Sequence, residues 1–377
     1  MTERKRVLVC VGTRPEAIKL FPVILALKAD PRFECRVCAT AQHREMLDQV
    51  LRLAAVAPDR DLDLMRPGQT LTSITTGVLE TFGPVLEAEH PDWVVVQGDT
   101  TTAMAGALAA FYRKVPVAHV EAGLRTGNMH APFPEEANRR LVGVLASLHF
   151  APTERARAAL LAENVAPQRV VVTGNTVVDA LLATRAQLGA HAAETAALRA
   201  ALPAAGDSRR VILVTAHRRE NLDGGMERIA AALRTLADRG DTFVAFPVHP
   251  NPRVRGPMEA MLGDHPSIAL LPPLDYLPFI AALDRCDFVL TDSGGVQEEA
   301  PSFGKPVLVM RDVTERPEAV EAGTSRLVGS QTERILAEAT RLLDDPAAHA
   351  AMRRAHNPYG DGRAAERIRD ALANAPP

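Results

Sequence analysis

The sequence predicts an α/β protein of two doubly wound, Rossmann-like domains. Three observations predict it. Short β-rich runs alternate with longer helical stretches along the whole chain. Most of those runs are apolar throughout instead of alternating with polar residues. The chain has 377 residues, which suits two domains of roughly 170–190 residues better than one. A strand apolar on both faces belongs in a parallel sheet covered by helices on both sides, and a repeated βαβ order winds such a sheet.

In the first half, strands are expected at 7–11, 34–40, 93–96, 117–120, 149–151 and 170–173. In the second half they are expected at 211–215, 243–248, 268–271, 288–291, 307–310 and 326–328. Helical periodicity lies between them, for example at 71–89, 101–112 and 226–237. The boundary falls at Gly174-Asn175-Thr176, giving domains 1–174 and 175–359. The Ala- and Leu-rich segment 177–201 reads as helix. Pro358 and Gly360 mark a bend, after which a helix at 360–377 is expected to pack back on the first domain.

Apolar residues make up 47% of the chain and charged residues 24%, with a formal net charge of -3. This supports two cores and points to no nucleic-acid partner. The basic start, Met1 to Arg6, precedes an apolar run of about five residues, shorter than a signal peptide needs. No segment approaches the roughly 20 apolar residues of a membrane span. A cytoplasmic protein with no membrane partner is therefore expected. Cys35 and Cys38 form a C-x-x-C, but on a strand these positions face opposite sides. With no second ligand pair at metal spacing, they read as apolar thiols, like Cys10 and Cys286.

In open α/β sheets ligands bind at the carboxyl ends of strands, and the unusual residues of this chain follow strands. Gly12-Thr13-Arg14-Pro15-Glu16 and Lys19 come after the first strand. Helix N-terminal amides there favour an anion, although alone the segment is equally an ordinary turn. Gln97-Gly98-Asp99-Thr100-Thr101, Glu121-Ala122-Gly123-Leu124-Arg125-Thr126 and Pro134-Glu135-Glu136-Ala137-Asn138-Arg139 supply three carboxylates, Asp99, Glu121 and Glu135. Converging on one cleft, they would raise one another's pKa and serve proton transfer. His217-Arg218-Arg219-Glu220-Asn221 suggests an anion site. Asp292-Ser293-Gly294-Gly295 lets backbone N–H groups approach a diphosphate, with Glu299 further on to accept ribose hydroxyls and Arg316 after the next strand.

Together, from Gly12-Thr13-Arg14-Pro15-Glu16 to Thr314-Glu315-Arg316-Pro317-Glu318, these motifs resemble the non-hydrolysing UDP-N-acetylglucosamine 2-epimerases. The resemblance implies a glycosyltransferase-B-like fold with the active site in the interdomain cleft. It implies interconversion of UDP-N-acetylglucosamine and UDP-N-acetylmannosamine by elimination of UDP to a glycal and re-addition. Asp99, Glu121, Glu135 and His217 are then the expected catalytic set. Arg14, Lys19, Asp99, Glu121, His217, Phe279, Ser293, Gly294, Gly295, Glu299 and Arg316 would bind substrate. Leu274 departs from a Gln that some members carry near the uracil. Gln42, His43, Arg66, Gln69 and His249 match an allosteric site for a second UDP-N-acetylglucosamine. No metal and no NAD are expected, and a homodimer is. The competing readings are a UDP-sugar glycosyltransferase, an epimerase of a UDP-diacetamido sugar, a hydrolysing epimerase and an inactive UDP-sugar sensor.

Overall fold

The computed structural model describes residues 4–40, 44–66, 68–204 and 206–376. The chain divides into two compact units, Met1–Ala180 together with Tyr359–Pro377, and Leu181–Pro358. In the first unit the strands are β1 (Lys5–Val11), β2 (Phe33–Ala39), β3 (Arg60–Asp61), β4 (Trp93–Gln97), β5 (Val117–Val120), β6 (Leu148–Ala151) and β7 (Val170–Val172). They pair in parallel in the order β3-β2-β1-β4-β5-β6-β7. In the second unit β8 (Arg210–Thr215), β9 (Thr242–Pro247), β10 (Ile268–Leu271), β11 (Phe288–Thr291), β12 (Val307–Val309) and β13 (Ser325–Leu327) pair in parallel as β10-β9-β8-β11-β12-β13. Each sheet is doubly wound, and its order reverses beside its first strand, at β1/β4 and at β8/β11. Those reversals open the crevices where such sheets take ligands.

All twelve expected strands form, with ends shifted by one or two residues. The strand not expected is β3, whose Arg60 and Asp61 are both exposed and pair with Cys38 and Ala39. Two solvated charges carry no strand signal. One helix expectation needs correction. The segment 177–201 is not continuous: helix Thr176–Gln187 stops, a turn follows, and a short helix Ala196–Ala201 begins. Gly189 falls in mid-segment, where it costs a helix about 1 kcal/mol. The fully buried Thr195 and the buried Leu198 hold the chain in its new course.

The cores follow from the apolar strands. Leu8, Val94 and Val96 pack with Phe82 and the Ala-rich helix Thr101–Tyr112 in the first unit. Ile212, Val214, Phe246, Phe288 and Leu308 do the same with helix Gly225–Ala237 in the second. Helix Leu71–Glu89 starts on a Thr70–Ser73 capping box. Gly12 must be glycine because a Cβ there would lie 2.7 Å from the side chains of Thr40 and Thr102. Cys38 is buried and Cys35 half-buried, and burial pushes both thiols up to about 12. Among the described residues no helix is long and apolar enough to cross a membrane.

The C-terminal helix Ala364–Asn374 packs against helix Arg14–Lys28 of the first unit. Its two ends are held by opposite charges. Asp179 accepts from the amides of Ala364 (3.2 Å) and Ala365 (2.8 Å). Lys5 Nζ donates to the carbonyls of Leu372 (3.0 Å) and Ala373 (2.7 Å). Acid at the N-terminus and cation at the C-terminus complement the helix dipole.

A second buried carboxylate organises the turn after β1. Glu16 is 1% exposed and closes a capping box with Thr13 at the start of its helix. Its Oε2 accepts from the amides of Gly12 (3.1 Å) and Thr13 (2.6 Å), and its Oε1 from the Thr100 hydroxyl (2.8 Å). The loops after β1 and β4 are thereby joined. Burial pushes its carboxyl from an ordinary 4.5 up to about 6, against the opposing pull of these hydrogen bonds.

Two outcomes follow. Asp179→Ala strands two buried amides, so thermal or urea unfolding should show a loss of about 2 kcal/mol; unchanged stability would contradict the capping role. For Glu16, the folded value lies above the unfolded one, so the folded state holds the proton more tightly. The contribution of Glu16 to wild-type stability therefore falls as pH rises from 4.5 through about 6 and then levels. Glu16→Gln still accepts from the amides and donates to Thr100, without the charge. Its stability relative to wild type should rise across that window by on the order of 2 kcal/mol. Parallel urea midpoints for the two proteins from pH 4.5 to 7.5 would contradict this.

Candidate functional site

In the first unit the carboxyl ends of β1, β4 and β5 bring three motif loops together. Glu121, directly after β5, has φ +63°, a backbone region that costs a non-glycine residue about 1–2 kcal/mol. Such an outlier persists only where its surroundings enforce it. Here Lys19 Nζ lies 2.5 Å from the Glu121 carboxylate, and Gln97 Nε2 donates to it at 2.8 Å. Asp99 accepts from Arg139 Nε at 3.0 Å, and its carbonyl accepts from Asn138 Nδ2 at 2.9 Å. His119 is fully buried, and its Nε2–H donates to the Gly98 carbonyl at 2.7 Å. Burial pushes that imidazole down to about 3, so it is neutral.

Helix Glu135–Leu145 closes this end of the unit. The fully buried Glu136 accepts from the amides of Thr126 (3.0 Å) and Gly127 (3.2 Å) and from Arg140 Nε (3.1 Å), and it pairs with Arg139 at 3.2 Å. The loop after β5 is thus pinned to the helix that carries Glu135. Glu135 itself has a buried carboxylate oxygen, Oε2, without a hydrogen-bond partner among the described residues.

Asp99 is paired with Arg139 and Glu121 with Lys19. One expectation is corrected. The turn after β1 was expected to offer amides to an anion; the amides of Gly12 and Thr13 are occupied by Glu16. Arg14 stands half-buried at the first position of that helix.

In the second unit the crevice between β8 and β11 gathers the other motifs. Asp292 is fully buried, and the exposed His217 lies with Nδ1 3.5 Å from its carboxylate. Burial lowers the His217 pKa; Asp292 opposes this, and Arg218 and His249 add to it. Helix Gly294–Glu299 begins at Ser293 without a side-chain cap. A Cβ on Gly294 would stand 3.5 Å from Arg218 Nη2. One on the exposed Gly295 would stand 3.8 Å from Glu299 Oε1 and 4.0 Å from Ser293 Oγ. Ser293, Gly294, Gly295, Glu299 and Arg218 therefore surround one uncapped helix start. The loop after β12 is tied to the same helix, Arg316 by the buried Glu298 and Thr314 by Gln297 at 2.6 Å. Phe279 is half-buried on helix Tyr276–Arg285, three residues beyond the buried Tyr276, and Leu274 is half-buried just before that helix.

Of the residues matched to a second nucleotide-sugar site, Gln42 and His43 lie outside the described residues. Arg66 donates to the carbonyl of Asp63 (2.9 Å) and Gln69 to that of Leu64 (2.7 Å), so both brace their own loop. His249 stacks on His217, with ring centroids 5.8 Å apart and planes 22° apart. Gln97, Arg139, Asn221 and Asp292 carry no expected role of their own. The available signal was a polar residue closing a buried apolar strand, as Gln97 and Asp292 do.

A family model described as UDP-N-acetylglucosamine 2-epimerase matches residues 25–373. The UDP-N-acetylglucosamine 2-epimerase of Escherichia coli (strain K12) is 55% identical over 370 residues, 98% of each chain. The crystal structure of UDP-GlcNAc 2-epimerase from Neisseria meningitidis bound to UDP-GlcNAc superimposes with a TM-score of 0.88 at 48% identity, over 98% of this chain and 100% of that one. The glycotransferase of kitacinnamycin matches with a TM-score of 0.64 at 15% identity, over 98% of this chain and 100% of that one, a likeness of fold alone. The fold is glycosyltransferase-B-like, and the chain belongs to the UDP-N-acetylglucosamine 2-epimerase family.

Proposed function

We propose that this chain interconverts UDP-N-acetylglucosamine and UDP-N-acetylmannosamine by eliminating UDP to a glycal and adding it back, without releasing free sugar. The observation that carries the mechanism is the set of carboxylates at the strand ends of the first unit. Glu121 is held in a costly backbone conformation between Lys19 and Gln97, and Glu135 keeps a buried oxygen without a partner among the described residues.

The chemistry explains why such groups are needed. The C2 hydrogen of the sugar is too weakly acidic for direct removal. Breaking the C1–oxygen bond moves its electron pair to the departing UDP and leaves C1 electron-poor, which acidifies the C2 hydrogen. A base takes that proton as the C1–C2 double bond forms. An acid then returns a proton to C2 on the other face while a UDP oxygen re-attacks C1. Asp99, Glu121 and Glu135 are the proton-transfer groups of this reading. Ser293, Gly294, Gly295, His217 and Arg14 stabilise the departing diphosphate. Lys19 holds Glu121 at the substrate, Glu299 takes the ribose, Phe279 lies by the uracil, and Arg316 braces the nucleotide side through Glu298.

A second UDP-N-acetylglucosamine acts as an activator in this reading, through Gln42, His43, Arg66, Gln69 and His249. The stacking of His249 on His217 supports a link between the two functions. The enzyme acts in the cytoplasm as a homodimer. Support for self-association comes from two helices packed on each other, Thr101–Tyr112 and Glu135–Leu145, which leave Phe111, Tyr112, Leu141 and Val144 at 55%, 66%, 50% and 84% exposure. Exposed apolar side chains grouped in this way mark interaction surfaces.

With UDP-N-acetylglucosamine as the sole substrate, product analysis should find UDP-N-acetylmannosamine; free N-acetylmannosamine, or no conversion, contradicts the reading. Asp99→Asn, Glu121→Gln and Glu135→Gln should each lower kcat by about a hundredfold or more, while UDP binding by calorimetry stays near wild type. Near wild-type turnover in all three removes the catalytic assignment. Val144→Glu should shift the sedimentation coefficient to that of a monomer, and an unchanged coefficient contradicts the proposed surface.

A further inference from the structure

Asp292 accepts only from donors. Its Oδ1 takes the His217 amide at 3.1 Å, and its Oδ2 takes the amides of His217 (3.0 Å) and Arg218 (2.9 Å) and the Asn221 Nδ2 (3.1 Å). It is fully buried and sits between β11 and Ser293. Its own amide donates to the Thr215 carbonyl at 3.1 Å, at the end of β8. Asn221, 3% exposed, also donates to the Met310 carbonyl at 3.2 Å, just past β12. One buried carboxylate therefore ties together the carboxyl ends of β8, β11 and β12. The loop bearing His217 and Arg218, and the helix start at Ser293, both hang from it.

We propose that Asp292 is the positioning residue of the second unit's crevice, fixing His217 by its backbone and by its imidazole. Charge-assisted bonds to two successive amides leave the His217 loop no alternative course. The Asp292 carboxylate, 3.5 Å from Nδ1, favours a proton on that nitrogen, as carboxylates beside functional histidines do. Asp292 also supplies the one negative charge among the groups acting on the ring. The others are Arg218 from its own loop and His249 from the loop after β9, and both oppose protonation. Asp292 thereby keeps His217 able to hold a proton beside a diphosphate. The proposal rests on the reading that His217 acts on the departing UDP.

The test compares Asp292→Asn, Asn221→Ala and His217→Gln in the full-length protein, with folding checked by circular dichroism and thermal unfolding. Asparagine can accept through one atom only and turns its NH₂ against a donor. In Asp292→Asn, kcat should fall by about a hundredfold, as misplacement by about 1 Å does, with KM within about threefold. The limb of the pH–rate profile that is missing from His217→Gln should move about one pH unit toward acid. Asn221→Ala keeps the charge but loosens the carboxylate, so it should lower kcat by about tenfold and leave that limb where it is in wild type. A folded Asp292→Asn with wild-type kcat and pH profile overturns the proposal. If Asp292→Asn does not fold, a wild-type kcat in Asn221→Ala overturns it alone. Wild-type turnover in His217→Gln would instead remove the underlying reading, whatever the other two variants do.

Discussion

A strand that ends in a parallel sheet and turns into a loop leaves backbone N–H groups that no neighbouring strand can satisfy. Left buried without an acceptor, each costs about 1–3 kcal/mol. In both units of this chain the demand at the central crevice is met by a buried acid. Glu16 takes the amides of Gly12 and Thr13 after β1, and Asp292 takes those of His217 and Arg218 after β8. Each also reaches across to the loop system of the fourth strand of its sheet: Glu16 to Thr100 beyond β4, and Asp292 by its own place beyond β11. That interaction joins the loops after β1 and β4 in the first unit and holds the loop after β8 in the second.

The two crevices differ in what this leaves open. In the first unit the turn amides are taken, and the groups presented are side chains: Glu121, Asp99 and Glu135, braced by Lys19, Arg139 and Glu136. In the second unit the helix that starts at Ser293 has no side-chain cap and carries a bare, exposed Gly295. Arg218 stands over Gly294 and Glu299 beside Gly295. In the proposed reaction the side chains of the first crevice move protons and the helix start of the second holds the nucleotide.

Much of this was legible in the sequence for identifiable reasons. Strands buried on both faces, such as Trp93–Gln97, announce themselves as apolar runs, and helical periodicity marks the helices Leu71–Glu89 and Thr101–Tyr112 between them. The motif residues follow those strands, so their presence at the carboxyl ends could be read directly. Three kinds of feature could not. Arg60–Asp61 pairs through its backbone alone and carries no side-chain signature. The break after Gln187 depends on the burial of Thr195 and Leu198 as well as on Gly189, and burial has no local signature. The partners of the charged residues depend on strand order. That Lys19 meets Glu121, Arg139 meets Asp99 and Glu16 meets Thr100 follows only once β1 lies beside β4 and β4 beside β5. The cations that pair with Asp99 and Glu121 are distant from them in sequence.

In the proposed reaction the carbon bearing the acetamido group loses its proton to a side chain and regains one from the opposite face. The most direct test is incubation with UDP-N-acetylglucosamine in heavy water, followed by NMR of the sugar at C2. The expected product is UDP-N-acetylmannosamine carrying deuterium at C2, with deuterium then appearing at C2 of the remaining substrate as the reaction runs backward. Epimerised product that keeps its original hydrogen at C2 would contradict it.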